Sequence, residues 1–178
     1  MMKLIKHKFR NHPFNIKSNI LIIGTFNPDV PNNEADFFYG RTRNYLWELL
    51  PKVFNEESLK SKDKQSKLDF MNKYGLEFID LISEINCDVG EENNYDDAYI
   101  DNKVNVWNNI IELLKNSSIK EVYFTRKSFQ NIKNIKTYIE EIDNYCNKNN
   151  IRFGYLSTPA RFFNEKKLYF WKNIMKRV

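Results

Sequence analysis

With 178 residues, 42% of them hydrophobic and 15% aromatic, the chain is too apolar for disorder and long enough to bury a core of its own. No apolar run approaches the length of a membrane span, and the start, Met1-Met2-Lys3-Leu4-Ile5-Lys6-His7, lacks the apolar segment of a secretory signal, so a cytoplasmic chain with no membrane partner is expected. The formal charge of +5 favours a polyanionic partner through counterion release, while the isolated Cys87 and Cys146 suggest neither a disulfide framework nor a zinc or iron–sulfur site.

In chain order, residues 19–25 are predicted as the first strand. The uninterrupted apolar run Ile20-Leu21-Ile22-Ile23 suits a strand buried on both faces of a parallel sheet, and it ends in Gly24. A polar loop follows, then a helix over 44–54. The lysine-rich stretch from 58 to 67 opens an exposed helix running to Tyr74, with Gly75 as its stop. Residues 76–82 read as the second strand, and the acidic segment 86–101 as a solvated loop. Val104, Trp107, Ile110, Ile111 and Leu114 recur at helical spacing, which predicts one helix with Trp107 turned inward. The third strand is predicted at 121–125, a short helix at 128–134, and a longer one at 135–149 with Ile139, Ile142 and Tyr145 on one side. Residues 152–157 form the fourth strand, and 164–176 a closing helix with Leu168, Trp171, Ile174 and Met175 apolar. Alternating strands and helices predict an α/β fold with a parallel sheet, and without a Pro-, Gly- or Ser-rich linker residues 1–178 are expected to be a single domain.

Parallel sheets of this kind bind ligands beyond their strand C-termini, so residues 24–44 and 157–161 are expected to meet at one sheet edge. Together they offer a glycine turn, an amide beside a proline, an aromatic followed by glycine, arginines, and small hydroxyls beside a second proline. Each also has a plain reading. Asn44 suits the N-cap of the following helix, Asn27-Pro28 suits a turn, and Tyr39 suits a core aromatic. Arg41 and Arg43 suit solvated charges at a helix entry, although arginine there opposes the macrodipole. Trp47 reads as core, Asp80 as a cap or turn at a strand end rather than a buried base, and His7 and His12 have no partner spacing that assigns them a role.

The stretch Tyr39-Gly40-Arg41-Thr42-Arg43-Asn44-Tyr45-Leu46-Trp47 resembles, without a gap, the pattern Y-[AG]-H-P-R-N-x-F-W of the uracil-DNA glycosylase superfamily, in its hypoxanthine-DNA glycosylase and mismatch-specific uracil-DNA glycosylase branches. Tyr39, Gly40, Arg43, Asn44 and Trp47 agree, while Arg41, Thr42 and Leu46 replace histidine, proline and phenylalanine. Gly24-Thr25-Phe26-Asn27-Pro28 is similar to the superfamily's first motif, G-x-N-P, with one residue more. Leu156-Ser157-Thr158-Pro159-Ala160 is similar to its last motif without the leading proline. Likeness at 75–81 and 119–124 extends the resemblance over most of the chain.

The resemblance implies a three-layer α/β/α sandwich around a four-stranded parallel sheet. It implies a monofunctional DNA glycosylase that needs no cofactor or metal and acts as a monomer. Such an enzyme flips a deaminated base, hypoxanthine or uracil, out of DNA and hydrolyses its N-glycosidic bond, the first step of base excision repair. Asn44 and Asn27 are the implied catalytic candidates. Gly24, Thr25, Phe26, Tyr39 and Gly40 are expected around the base, with Tyr39 stacking on it, and Arg41, Arg43, Ser157, Thr158 and Arg161 on DNA. A catalytically inactive nucleic-acid or nucleobase-binding module of the same fold is the alternative.

Overall fold

The computed structural model describes residues 1–177. In chain order the elements are β1 (Met2–Lys6), β2 (Ile20–Gly24), α1 (Leu46–Val53), α2 (Lys64–Tyr74), β3 (Leu76–Asp80), β4 (Ile82–Asp88) and α3 (Asp97–Asp101). These are followed by β5 (Val104–Trp107), α4 (Ile110–Lys115), β6 (Glu121–Phe124), α5 (Lys133–Lys148), β7 (Arg152–Tyr155) and α6 (Glu165–Met175).

The central sheet has four parallel strands in the order β3-β2-β6-β7, with Ile20 in register with both Leu76 and Glu121, and Glu121 with Arg152. β2 is interior, and all five of its residues are buried. Its alternation feeds two cores. Leu21 and Ile23 pack with Val122, Phe124, Ile139 and Ile142, against α5. Ile20 and Ile22 pack with Leu46, Trp47, Phe78, Tyr123 and Trp171, against α1 and α6. The result is the expected α/β/α layering around a parallel sheet.

A second, antiparallel sheet of order β1-β4-β5 was not legible as such. β3 passes into β4 through Leu81 alone, so the predicted strand 76–82 is two strands in two sheets. At the crossing, Leu81 N–H donates to Gly24 O at 2.9 Å and Ile82 N–H to Thr25 O at 3.1 Å, tying the junction to the end of β2.

Four other expectations are corrected. The predicted helix over 104–114 is a strand followed by a short helix, and Trp107, half-buried beside Tyr138, does pack against the core. The predicted loop 86–101 contains the end of β4 and all of α3. Residues 128–132 are irregular with a turn at 130–131, and 133–134 already open α5, so 128–134 form no helix of their own. The exposed helix begins at Lys64, where Asp63 accepts from Ser66 N–H, rather than at 58. Among the described residues no helix is long and apolar enough to cross a membrane.

Candidate active site

The ends of β2, β3, β6 and β7 open into one cleft of about 740 Å³. Residues 25–27 border it from β2, Asp80 from β3, 125–128 from β6 and 157–161 from β7, with Tyr39, Arg41 and Asn44 from the loop before α1. The two motif segments do meet. Asn44 and Ala160 form a β-bridge, Tyr45 N–H donates to Pro159 O at 2.8 Å, and Arg161 N–H donates to Arg43 O at 2.8 Å. Tyr39 (φ 57°) and Arg161 (φ 77°) take left-handed backbone, at a cost of roughly 1–2 kcal/mol each.

The two asparagines differ. Asn27 is buried, and its Oδ1 accepts from Asn33 Nδ2, which also donates to Pro28 O at 2.7 Å. That clamp leaves the Asn27 Nδ2 group without a protein partner among the described residues, bordering the cleft. The amide is a donor there. Asn44 is half-buried, and its Oδ1 accepts from Leu46 N–H at 3.0 Å in an Asx-type turn just before α1, whose N-cap is Tyr45, while its carbonyl accepts from Lys60 Nζ at 2.6 Å.

Tyr39 forms a wall over the end of β2. The Thr125 hydroxyl donates to Ile23 O at 3.2 Å, so the Tyr39 hydroxyl is the donor in its 3.0 Å bond to Thr125 Oγ1. Burial, and then the Asp80 charge, push the Tyr39 phenol well above its ordinary range and keep that donor protonated. Gly24 lies beneath: a Cβ on it would come within 2.2 Å of Asp80 Oδ1 and 2.6 Å of the Tyr39 hydroxyl. Its role is to let those groups close over the strand, and it does not itself line the cleft. Gly40 does not line it either; it sits in the turn behind Tyr39, its N–H donating to Phe37 O at 3.0 Å. Arg43 is exposed outside the cleft. Thr25, Phe26, Arg41, Ser157, Thr158 and Arg161 all border it. Ser157 is held by Trp171 Nε1 at 3.1 Å, and Thr158 Oγ1 accepts from Ala160 N–H at 3.2 Å.

Residues that the sequence left aside complete the site. The acidic segment is not simply solvated, because Tyr95, Asp96 and Asp97 form one wall. Arg41 stacks on Tyr95 at 4.1 Å, and Arg126 pairs with Asp97, whose carboxyl burial pushes up despite that arginine. Asp80 caps nothing with its side chain. Its Oδ2 accepts from His7 Nε2 at 2.7 Å, both groups being buried, and Phe9 N–H donates to His7 Nδ1 at 3.0 Å, which assigns the Nε2–H tautomer. His12 likewise pairs with the buried Glu77 at 3.0 Å. No group of three or more His, Cys, Asp or Glu among the described residues is placed to hold a metal ion.

The solution structure of a "putative uracil DNA glycosylase" from Methanosarcina acetivorans superposes with a TM-score of 0.61 over 99% of this chain and 98% of that one, at 15% identity. The fold is uracil DNA glycosylase-like. No protein-family model matches the sequence, and no curated protein matches it either. In this glycosylase-like fold the cleft occupies the position that ligands take in open parallel sheets, past the strand C-termini.

Proposed function

We propose that the protein is a single-domain, monomeric DNA glycosylase that flips a deaminated base, hypoxanthine or uracil, out of DNA and hydrolyses its N-glycosidic bond, the first step of base excision repair. The observation that carries this reading is the backbone-bridged junction of 44–45 with 159–160 beside the free amide of Asn27, in a glycosylase-like fold. The cleft volume of about 740 Å³ suits a flipped nucleotide, since ligand pockets span about 300–1,000 Å³.

In this reading the Asn27 N–H groups donate to the departing base, where negative charge develops as the C1′–N bond breaks. Tyr39 supplies the aromatic wall for stacking, worth about 1–3 kcal/mol per base. Thr25 and Phe26 shape the rim and the side of the base pocket. Arg41, Arg161, Ser157 and Thr158 hold the phosphates on either side, Arg43 reaches the backbone from outside the cleft, and Asn44 sets the entry of α1 against the 157–161 loop. A second reading, an inactive nucleic-acid-binding module, is favoured by one observation: the Asn44 oxygen is committed to the Leu46 N–H in the turn that leads into α1.

Incubation with duplexes and single strands containing uracil, hypoxanthine or xanthine, followed by alkaline cleavage of abasic sites, separates the two. Base release from one of them supports the enzyme. Salt-sensitive DNA binding with no release from any of them refutes it in favour of the module.

A further inference from the structure

The floor of the cleft holds a pair that the roles above leave unused. The Asp80 side chain, 7% exposed at the end of β3, accepts from His7 Nε2, and the His7 ring, just past β1, is 4% exposed. The Phe9 N–H on Nδ1 holds the ring in its Nε2–H form. One carboxylate oxygen is thereby occupied. The other, Oδ1, has no partner among the described residues and crowds the point above Gly24 that the Tyr39 hydroxyl also approaches, on the cleft side. No buried side-chain oxygen among the described residues lacks a partner, so this oxygen is open to solvent from the cleft, where it can accept from a water.

Charge points the same way. Asp97 is offset by Arg126, whereas a neutral His7 leaves the charge of Asp80 in place. A negative group in a largely enclosed floor favours cationic character at the sugar C1′ and draws a proton from an attacking water; it opposes an anionic base leaving on its own side. The Asn27 donor therefore belongs to the base and Asp80 to the sugar.

We infer that Asp80 is a further catalytic residue, the acceptor of the water proton, and that His7 is its positioning residue; the inference rests on the glycosylase reading above. The water oxygen bonds to C1′ as the C1′–N bond breaks, and the electron pair of that bond leaves with the base. The water proton passes to Asp80 Oδ1 and on to solvent, and the released base takes a proton from solvent.

His7 from the end of β1 and Tyr39 from the loop before α1 face Asp80, and Asp97 of α3, paired with Arg126, faces Tyr39 and borders the same cleft. The test is single-turnover base release, with duplex binding measured alongside, for the wild type, Asp80→Asn, Asp97→Asn, His7→Phe and His7→Gln. Asp80→Asn lowers the rate about 10²-fold or more while binding holds. His7→Phe lowers the rate at unchanged binding, because the carboxylate loses the donor that aims it, and His7→Gln, which keeps an N–H, restores it. Release by Asp80→Asn at close to the wild-type rate overturns the inference, as does a loss in Asp97→Asn as large as that in Asp80→Asn. If Asp80→Asn does not fold, an unchanged rate in folded His7→Phe overturns it. A wild-type protein that releases no base overturns the glycosylase reading itself, a result distinct from an active Asp80→Asn.

Discussion

The two segments that resemble glycosylase motifs border the same cleft but use their side chains differently. In 39–47, the better match, Trp47 is core with its Nε1 donating to Phe38 O at 2.7 Å, Asn44 Oδ1 is tied to Leu46 N–H in the turn before α1, Gly40 forms a turn and Arg43 lies outside the cleft. In 24–28, the irregular match, Thr25, Phe26 and Asn27 all border the cleft, and Asn27 offers an unpaired donor. Each segment puts three residues on the cleft, Tyr39, Arg41 and Asn44 from the first; the closer match also builds the scaffold, and the unpaired amide donor comes from the looser segment. A scaffold tolerates few residue types at each position, because packing and capping are exacting.

Substitutions in the two segments test that division. Trp47→Ala is expected to cost roughly 3–5 kcal/mol of stability, read by denaturant unfolding, with base release per folded molecule little changed. A cost below about 1 kcal/mol removes Trp47 from the scaffold. Asn27→Ala is expected to slow single-turnover base release per folded molecule by about 10²–10³-fold, as for loss of one donor to a developing negative charge, and to cost about 1–3 kcal/mol of stability through the lost Asn33 bond. Gly24→Ala forces its Cβ onto Asp80 and Tyr39 and is expected to cost about 1–3 kcal/mol and lower base release, although Gly24 does not line the cleft. Asn44→Ala is expected to cost about 1 kcal/mol, the value of one side chain–backbone hydrogen bond, while base release stays within about tenfold. If Asn44→Ala abolishes release and Asn27→Ala does not, the comparison is reversed. Arg161→Ala has the smallest effect: the slope of log binding constant against log salt falls by about 1, with no change in base preference.

Much of the fold was legible because β2, β3, β6 and β7 are short apolar runs bounded by glycine or polar residues, a pattern with one reading in an α/β chain. The small sheet was not. β1 carries Lys3 and Lys6 and only Ile5 of its residues is buried, so it lacks the apolar signature of a strand. β5 and α4 abut, and the apolar residues at the end of one and the start of the other fall by coincidence on a single 3.6-residue period, which produced the false helix. At the site, the meeting of 44–45 with 159–160 followed from topology. The wall of Tyr95, Asp96 and Asp97 did not, because in sequence a carboxylate bound to a distant arginine looks like one bound to water. The His7–Asp80 pair joins residues 73 positions apart, and no local spacing reports it.

That separation has a consequence for the order in which the protein is made. His7 enters the chain early and must wait for Asp80, and Ser157, already synthesised, must wait for Trp171 of the final helix to hold it. The cleft is closed by contacts of long sequence separation, which form late in folding. A nascent chain emerging from the ribosome therefore carries the sheet strands before it carries a finished cleft, which is complete only with the last turns of α6.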